Sequence, residues 1–257
     1  MFNAFYRKSA AAAALSLLLA SGCAQAGSVS ADDASVSNVP QSSGQVQAGT
    51  FARDYLEAAQ KGDAEAQFIV GGLYMEGRDG VPEDYAEAAG WYRKAAGQGH
   101  PGAQYMFGMC CACGKGAPQD NAEAMKWFVR SAEQGYAEAQ FAVGAFYFGG
   151  EGGTAKDPSE AAKWLRKAAD QGHAGAQYCL ASLYLSGKGV EKDEAEAARL
   201  YRKAAEQGNA DAQYCLGQRY RLGQGVKQDN QEAAKWYRKA AEQGDQEARK
   251  ALEDLEK

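Results

Sequence analysis

The sequence lacks the short motifs that mark the common hydrolases and nucleotide-binding enzymes. It contains no H-E-x-x-H zinc motif, no phosphate-binding loop, no G-x-S-x-G elbow and no S-x-x-K serine. Only two histidines are present, His100 and His173, and both occupy the same position of an internal repeat, which indicates a feature of the repeat rather than a catalytic pair. We therefore predict a protein that is not an enzyme and binds no metal or other cofactor.

Positive charge and proline are also scarce. The 257 residues carry 28 Lys and Arg against 33 Asp and Glu, a formal net charge of −5, and no long basic run occurs. Because phosphate backbones are bound by excess positive charge, nucleic acid is not expected as a partner. Only 5 prolines stand against 31 glycines, which suits helices separated by glycine-containing turns.

The only marked apolar run is a short one at the N-terminus. Arg7 and Lys8 precede an apolar stretch from Ser9 to Ala20. That stretch is shorter than the ~20 apolar residues that cross a bilayer. A basic start followed by a short apolar stretch is typical of a secretory signal peptide, which we place at residues 1–22.

The residues after this stretch indicate a lipid anchor. Leu19–Cys23 resembles a bacterial lipobox, in which the cysteine thiol accepts a diacylglyceryl group, although alanine stands where leucine is usual. We expect lipidation of Cys23 as the one membrane contact, and a disordered tether over residues 23–50, which contain no Lys or Arg. By the same resemblance, the alanine after the cysteine favours the periplasmic side of the outer membrane. The alternative is cleavage at Ala26, which would release a soluble periplasmic or secreted protein.

An internal repeat fills the rest of the chain. Six glycines spaced 36 or 37 residues apart close the same phrase: Gly62, Gly99, Gly135, Gly172, Gly208 and Gly244. A glutamine inside an Ala-Gln pair follows each of the first five glycines, and tryptophans recur in the same register. A repeat of this length predicts stacked units, each of which needs its neighbours to bury its apolar face.

Each repeat is predicted to contain two helices. In the fifth repeat we expect the first helix at about Asn209–Leu222 and the second at Asp229–Gln243, separated by a turn that begins at Gly223. Every second helix opens with a D-x-x-E capping box, as at Asp229 and Glu232. The recurring acidic residues are therefore predicted to cap helices and not to act as catalytic carboxylates.

The phrase from Ala204 to Ala240 resembles the Sel1-like repeat. It reads A-A-x-Q-G-x-x-x-A-Q-Y and then, after Cys215, L-G-x-x-Y-x-x-G-x-G-V-x-x-D-x-x-E-A-x-x-W-Y-R-K-A. The resemblance implies an all-α fold over residues 51–257, a right-handed α-α superhelix related to tetratricopeptide arrays. It places the five repeats at 63–98, 99–134, 135–171, 172–207 and 208–243, with a half-repeat cap before them and a capping helix at 245–257.

For function, the resemblance implies an adaptor that holds a protein or peptide partner. We expect it to act in the bacterial envelope, and we expect a monomer, although the sequence does not give the oligomeric state. Most recurring residues are packing positions, but one arc of the first helices changes freely and, in related solenoids, faces the concave groove. We predict that methionine, aromatic and arginine side chains of this arc bind the partner. The candidate residues are Met106, Met109, Phe146, Leu183, Gln218, Arg219 and Arg221. Packing against the neighbouring repeat is the alternative role for these positions.

Five cysteines follow Cys23: Cys110, Cys111, Cys113, Cys179 and Cys215. Cys179 and Cys215 occupy the same slot of adjacent repeats. Their helices are expected ~8–10 Å apart, whereas a disulfide needs Cα atoms within about 7 Å. A local bond between Cys110 and Cys113, or a redox role, stays open. Certain cysteine-rich relatives are described as penicillin-binding or β-lactamase-like, and such activity is the alternative function that the resemblance implies.

Overall fold

The computed structural model describes residues 50–255, and this part of the chain contains twelve α-helices and no β-strand. In chain order the helices are α1 (Thr50–Gln60), α2 (Ala64–Glu76), α3 (Tyr85–Gly97), α4 (Pro101–Cys113), α5 (Asn121–Glu133), α6 (Ala137–Gly149), α7 (Pro158–Asp170), α8 (Ala174–Ser186), α9 (Glu194–Glu206), α10 (Ala210–Leu222), α11 (Asn230–Glu242) and α12 (Gln246–Leu255). Helices α2 to α11 make five hairpins, with α1 before and α12 after them. The expected all-α, tetratricopeptide-like fold is confirmed. The predicted signal peptide, Cys23 and residues 24–49 lie outside the described part.

The described chain divides into two compact units, residues 50–139 and 140–255, with the division inside α6. In the first unit α2 packs on α3 and α4 packs on α5, and α1 and α3 contact the first helix of the hairpin that follows each. In the second unit every helix from α7 to α12 contacts the next one along the chain. Each hairpin inside a unit therefore buries its apolar faces against itself and against its neighbour.

Every second helix begins at an aspartate cap. At α9, Oδ1 of Asp193 accepts hydrogen bonds from the backbone N–H groups of Ala195 and Glu196, both at 2.9 Å. The other four caps have the same arrangement: Asp84, Asp120, Asp157 and Asp229. The predicted aspartate caps are confirmed.

The other hydrogen bond of the predicted capping box, from the aspartate N–H to the glutamate side chain, is wrong. The backbone N–H of Asp193, which the glutamate should bind, instead donates to the carbonyl oxygen of Tyr184 on the preceding helix at 3.1 Å. Glu196 turns outward and accepts from Nε of Arg199 at 2.7 Å. The backbone N–H that the glutamate of a capping box would bind is therefore already used in the connection between the two helices.

Each hairpin closes where a small residue of its first helix meets a large side chain of its second. A β-carbon added at Gly217 of α10 would lie 2.6 Å from Cδ1 of Tyr237, so the ring packs directly on the α10 backbone. Tyr237 is fully buried there. In the fourth hairpin Ala181 is the residue equivalent to Gly217, and Tyr201 is the residue equivalent to Tyr237; both are buried.

Pairs of glutamines connect the two helices of each repeat. Gln213 is buried near the start of α10, where its Nε2 donates to the carbonyl oxygen of Ala205 at 3.1 Å and its Oε1 accepts from Nε2 of Gln243 at 2.8 Å. The other pairs are Gln67 with Gln98, Gln104 with Gln134, Gln140 with Gln171, and Gln177 with Gln207. The recurring Ala-Gln pair of the sequence is therefore a hydrogen-bonded joint.

Candidate partner-binding surface

The structure buries four of the seven side chains that were predicted to bind a partner. Met106 and Met109 on α4 are 7% and 4% exposed, and Phe146 on α6 and Leu183 on α8 are 1% and 0% exposed. For Met106, Met109 and Leu183 the reason is coverage from two sides, since α4 packs against α3 and α5, and α8 packs against α7 and α9. The expectation that these four side chains form an open surface is corrected, and packing, the alternative role, describes them.

The other three predicted residues share the C-terminal half of α10. Gln218 and Arg219 are half-buried and Arg221 is exposed. The Gln218 side chain donates from Nε2 to the hydroxyl of Tyr214 at 2.8 Å, one turn earlier on the same helix. Leu222, at the end of α10, is 47% exposed, which is unusual for a large apolar side chain in the described chain. The accessible part of the predicted arc is therefore this end of α10.

Tyrosines surround this end of α10. Tyr201 on α9 shares a hydrogen bond of 2.9 Å with Oγ of Ser182, and Arg202 donates to the hydroxyl of Tyr220. Burial raises the pKa of Tyr237, and the nearby guanidinium of Arg221 opposes that shift. Nε of Arg219 is buried and has no hydrogen-bond partner among the described residues. One donor of α10 is thus unsatisfied.

The described chain contains five cysteines, and most of them are buried. All five are thiols, and Cys110, Cys111 and Cys179 are buried. Burial raises the pKa of the Cys111 thiol to about 11 and that of Cys179 to about 12. Because the thiolate is the reactive form, these two side chains are held in their unreactive state near neutral pH. No cluster of three or more metal-ligating side chains occurs within residues 50–255.

Both histidines cap first helices. Nδ1 of His100 accepts from the backbone N–H of Ala103 at 3.0 Å, and Nδ1 of His173 accepts from Ala176 at 3.1 Å. Nε2 of His100 also lies 2.9 Å from a carboxylate oxygen of Glu65. Aspartate or asparagine fills the same cap position at Asp63, Asn209 and Asp245. The histidines therefore serve the repeat, as their position in the sequence indicated.

Tandem hairpins with recurring caps and joints define a helical repeat scaffold of the tetratricopeptide type. The Sel1 repeat model matches the chain five times, at residues 64–100, 101–136, 137–173, 174–209 and 210–245. The chain belongs to the Sel1 repeat family, as the resemblance predicted. Comparison with the curated proteins gives no match.

Solved structures support the same assignment. A protective antigen of uropathogenic Escherichia coli strains with an SLR fold is 37% identical, with a TM-score of 0.75 over 79% of this chain and 43% of that chain. A Sel1 repeat protein from Oxalobacter formigenes is also 37% identical, with a TM-score of 0.72 over 79% of this chain and 58% of that chain. This chain thus spans about half the length of these two relatives. None of the helices in residues 50–255 is long and apolar enough to cross a membrane.

Proposed function

We propose that this protein is a non-enzymatic scaffold that binds a protein or peptide partner in the bacterial cell envelope. The observation that carries the proposal is the set of five Sel1 repeats, a fold that commonly serves protein–protein interaction. Their recurring residues form caps, hairpin contacts and glutamine joints, which stabilise the array. Recognition is left to residues that differ between repeats.

The end of α10 is the part of the predicted arc that we propose as the contact surface. Arg221 and Leu222 are exposed there, and Gln218 and Arg219 are half-buried. Arginine and apolar side chains together are typical of interface residues. The buried residues of the arc pack inside the repeats and do not contact the partner.

The partner contact can be tested by crosslinking in cells followed by affinity purification of the full chain. We expect at least one protein to co-purify with the wild type and to be lost with Arg221→Glu. Arg249→Glu, a matched charge reversal at an exposed position of α12, should retain it. Loss with both variants, or with neither, would rule out the α10 surface, and the absence of any co-purifying protein would rule out the scaffold.

We also propose that a lipid on Cys23 holds the protein at the periplasmic side of the outer membrane. The lipobox-like Leu19–Cys23 and the preceding signal-like stretch support this location. Mass spectrometry of the mature N-terminus should find an acylated Cys23, and Cys23→Ala should leave the membrane fraction. A mature chain that begins at Gly27 would instead establish a soluble exported protein.

The non-enzymatic part of the proposal is supported by the scaffold fold and by the buried thiols. The β-lactamase-like alternative needs an activated nucleophile, and the thiols of Cys111 and Cys179 have raised pKa values. The full chain should not hydrolyse nitrocefin, with or without a reductant. Turnover that survives repeated purification would contradict the proposal.

A further inference from the structure

One position of the first helices holds a buried apolar or thiol side chain in four repeats and an arginine in the fifth. The four buried side chains are Leu73, Cys110, Phe146 and Leu183. Arg219 occupies the same position of α10 and is half-buried. A charge at a slot that packs apolar groups elsewhere breaks the pattern of the repeat, and such departures are typical of functional positions.

The charge of Arg219 is not neutralised inside the described chain. Its Nε is buried without a hydrogen-bond acceptor, and the guanidinium forms no ion pair with a described carboxylate. Glu194 is close enough for Arg219 to influence it, but its carboxylate pairs with Nζ of Lys192 at 2.8 Å. A buried N–H without an acceptor is unfavourable, because it has lost a hydrogen bond to water and gained none in the protein.

The buried Nε of Arg219 lies near a second arginine. Arg221 is exposed, and it and Arg219 both act on the pKa of Tyr237, which places the three side chains in one neighbourhood. Guanidinium groups present several N–H donors in a fixed plane, a geometry that matches the two oxygens of a carboxylate.

We propose that Arg219 and Arg221 receive a carboxylate side chain from an acidic segment of the partner protein. This inference rests on the proposed scaffold function and names the chemistry of its partner. Binding supplies the counterion that Arg219 lacks, so the guanidinium is paired only in the complex. The first four repeats, which hold uncharged apolar or thiol side chains in this slot, do not offer such a site.

A purely structural role for Arg219 predicts a different effect of its removal on stability. A cation in the last turn of a helix interacts favourably with the helix dipole, and under that role its removal destabilises the protein. Under our proposal, Arg219→Leu restores the side chain that the fourth repeat has in this slot. It should therefore leave the urea midpoint unchanged or raise it while it abolishes recognition of carboxylates.

The test uses the full chain and short fluorescent peptides with blocked termini, measured by anisotropy at low ionic strength, where charge pairing is least screened. A polyglutamate peptide should bind, and a polyglutamine peptide of equal length should bind at least about tenfold more weakly. Arg219→Leu should weaken the polyglutamate affinity by about tenfold or more. Arg249→Leu, which removes the same charge from α12, should bind as the wild type does.

Several results would overturn the inference. These are equal binding of the two peptides, unchanged polyglutamate binding by Arg219→Leu, or a lowered urea midpoint for that variant. A polyglutamine peptide with a free C-terminus that binds as well as polyglutamate would show recognition of a chain end and not of acidic side chains. If a partner crosslinked in cells is still captured by Arg219→Leu, the scaffold function stands and this inference fails.

Discussion

Nε2 of Gln243 donates a hydrogen bond to Oε1 of Gln213 at 2.8 Å, across 30 residues of sequence. Because Gln213 also donates to the carbonyl oxygen of Ala205 at 3.1 Å, one buried amide connects α9, α10 and the end of α11. A buried amide that satisfies both its oxygen and its nitrogen in this way stabilises the stack and fixes its register.

Replacement of Gln213 by leucine should destabilise the protein. The change removes both hydrogen bonds and leaves the buried carbonyl of Ala205 without its side-chain donor, so we expect a loss of about 1–3 kcal/mol in the free energy of unfolding. Urea unfolding followed by circular dichroism measures it. Gln231→Leu, at an exposed position of α11, should change the stability by less than about 0.5 kcal/mol. Equal losses for the two variants would show that the glutamine joint is not a stabilising contact.

The two acidic residues of the predicted capping box should contribute differently to the stability of the protein. Asp193→Ala removes the acceptor for two backbone N–H groups, so we expect a loss of about 1 kcal/mol in stability. Glu196→Gln removes only an exposed ion pair with Arg199 and should cost less than about 0.5 kcal/mol. Thermal unfolding of both variants gives the comparison. A larger loss of stability for Glu196→Gln than for Asp193→Ala would indicate that the complete capping box does form.

Two glycines in helices should respond to alanine with opposite signs. Gly217→Ala places a β-carbon 2.6 Å from the ring of Tyr237, and the overpacking should destabilise the protein by about 1–3 kcal/mol. Gly90 lies on α3 with no atom within 4 Å of the added carbon. Gly90→Ala should therefore stabilise by about 0.5–1 kcal/mol through helix propensity. The free energies of unfolding in urea report both, and a stabilising Gly217→Ala would contradict the close helix contact.

Stability should fall at alkaline pH. Burial raises the pKa of Cys179 to about 12, whereas a thiol in an unfolded chain ionises near pH ~8.5. Between these values the folded chain keeps a proton that the unfolded chain releases, so rising pH favours unfolding. Buried Tyr201, whose pKa is also raised, acts in the same direction.

The measurement is the difference between the free energies of unfolding at pH ~8 and pH ~10.5, values that bracket the ionisation of an unfolded thiol. In Cys179→Ala this difference should be smaller than in the wild type, because one of the linked protons is gone. An identical pH dependence in the two proteins would mean that Cys179 is not buried in solution.

Much of the fold could be predicted because the residues that end helices are local signals. The first helix of the fifth repeat was expected at about Asn209–Leu222, and the structure has Ala210–Leu222 with Asn209 as its cap. The outer glutamate of the capping box was wrong because its expected donor, the N–H of Asp193, binds a carbonyl of another helix. Local spacing does not show that competition.

The candidate surface could be predicted only in part. Helical periodicity places Phe146, Leu183 and Arg219 at equivalent positions of one arc, but it does not say which neighbouring helix covers that arc. Coverage follows from packing between hairpins, which buries Leu183 and leaves Arg219 half-exposed. The recurrence of Gln213 was visible in the sequence, whereas its partner Gln243 lies 30 residues away and became evident only in three dimensions.

The scaffold function is tested most directly by site-specific photo-crosslinking in living cells, with the photoreactive residue at position 218 or, as a control, at position 235. Gln218 lies beside the two arginines of α10, and Lys235 is exposed on α11 of the same unit. We expect a discrete adduct with one protein from position 218, which is absent from position 235. No adduct from position 218, or the same adducts from both positions, would contradict the binding of a partner at this surface.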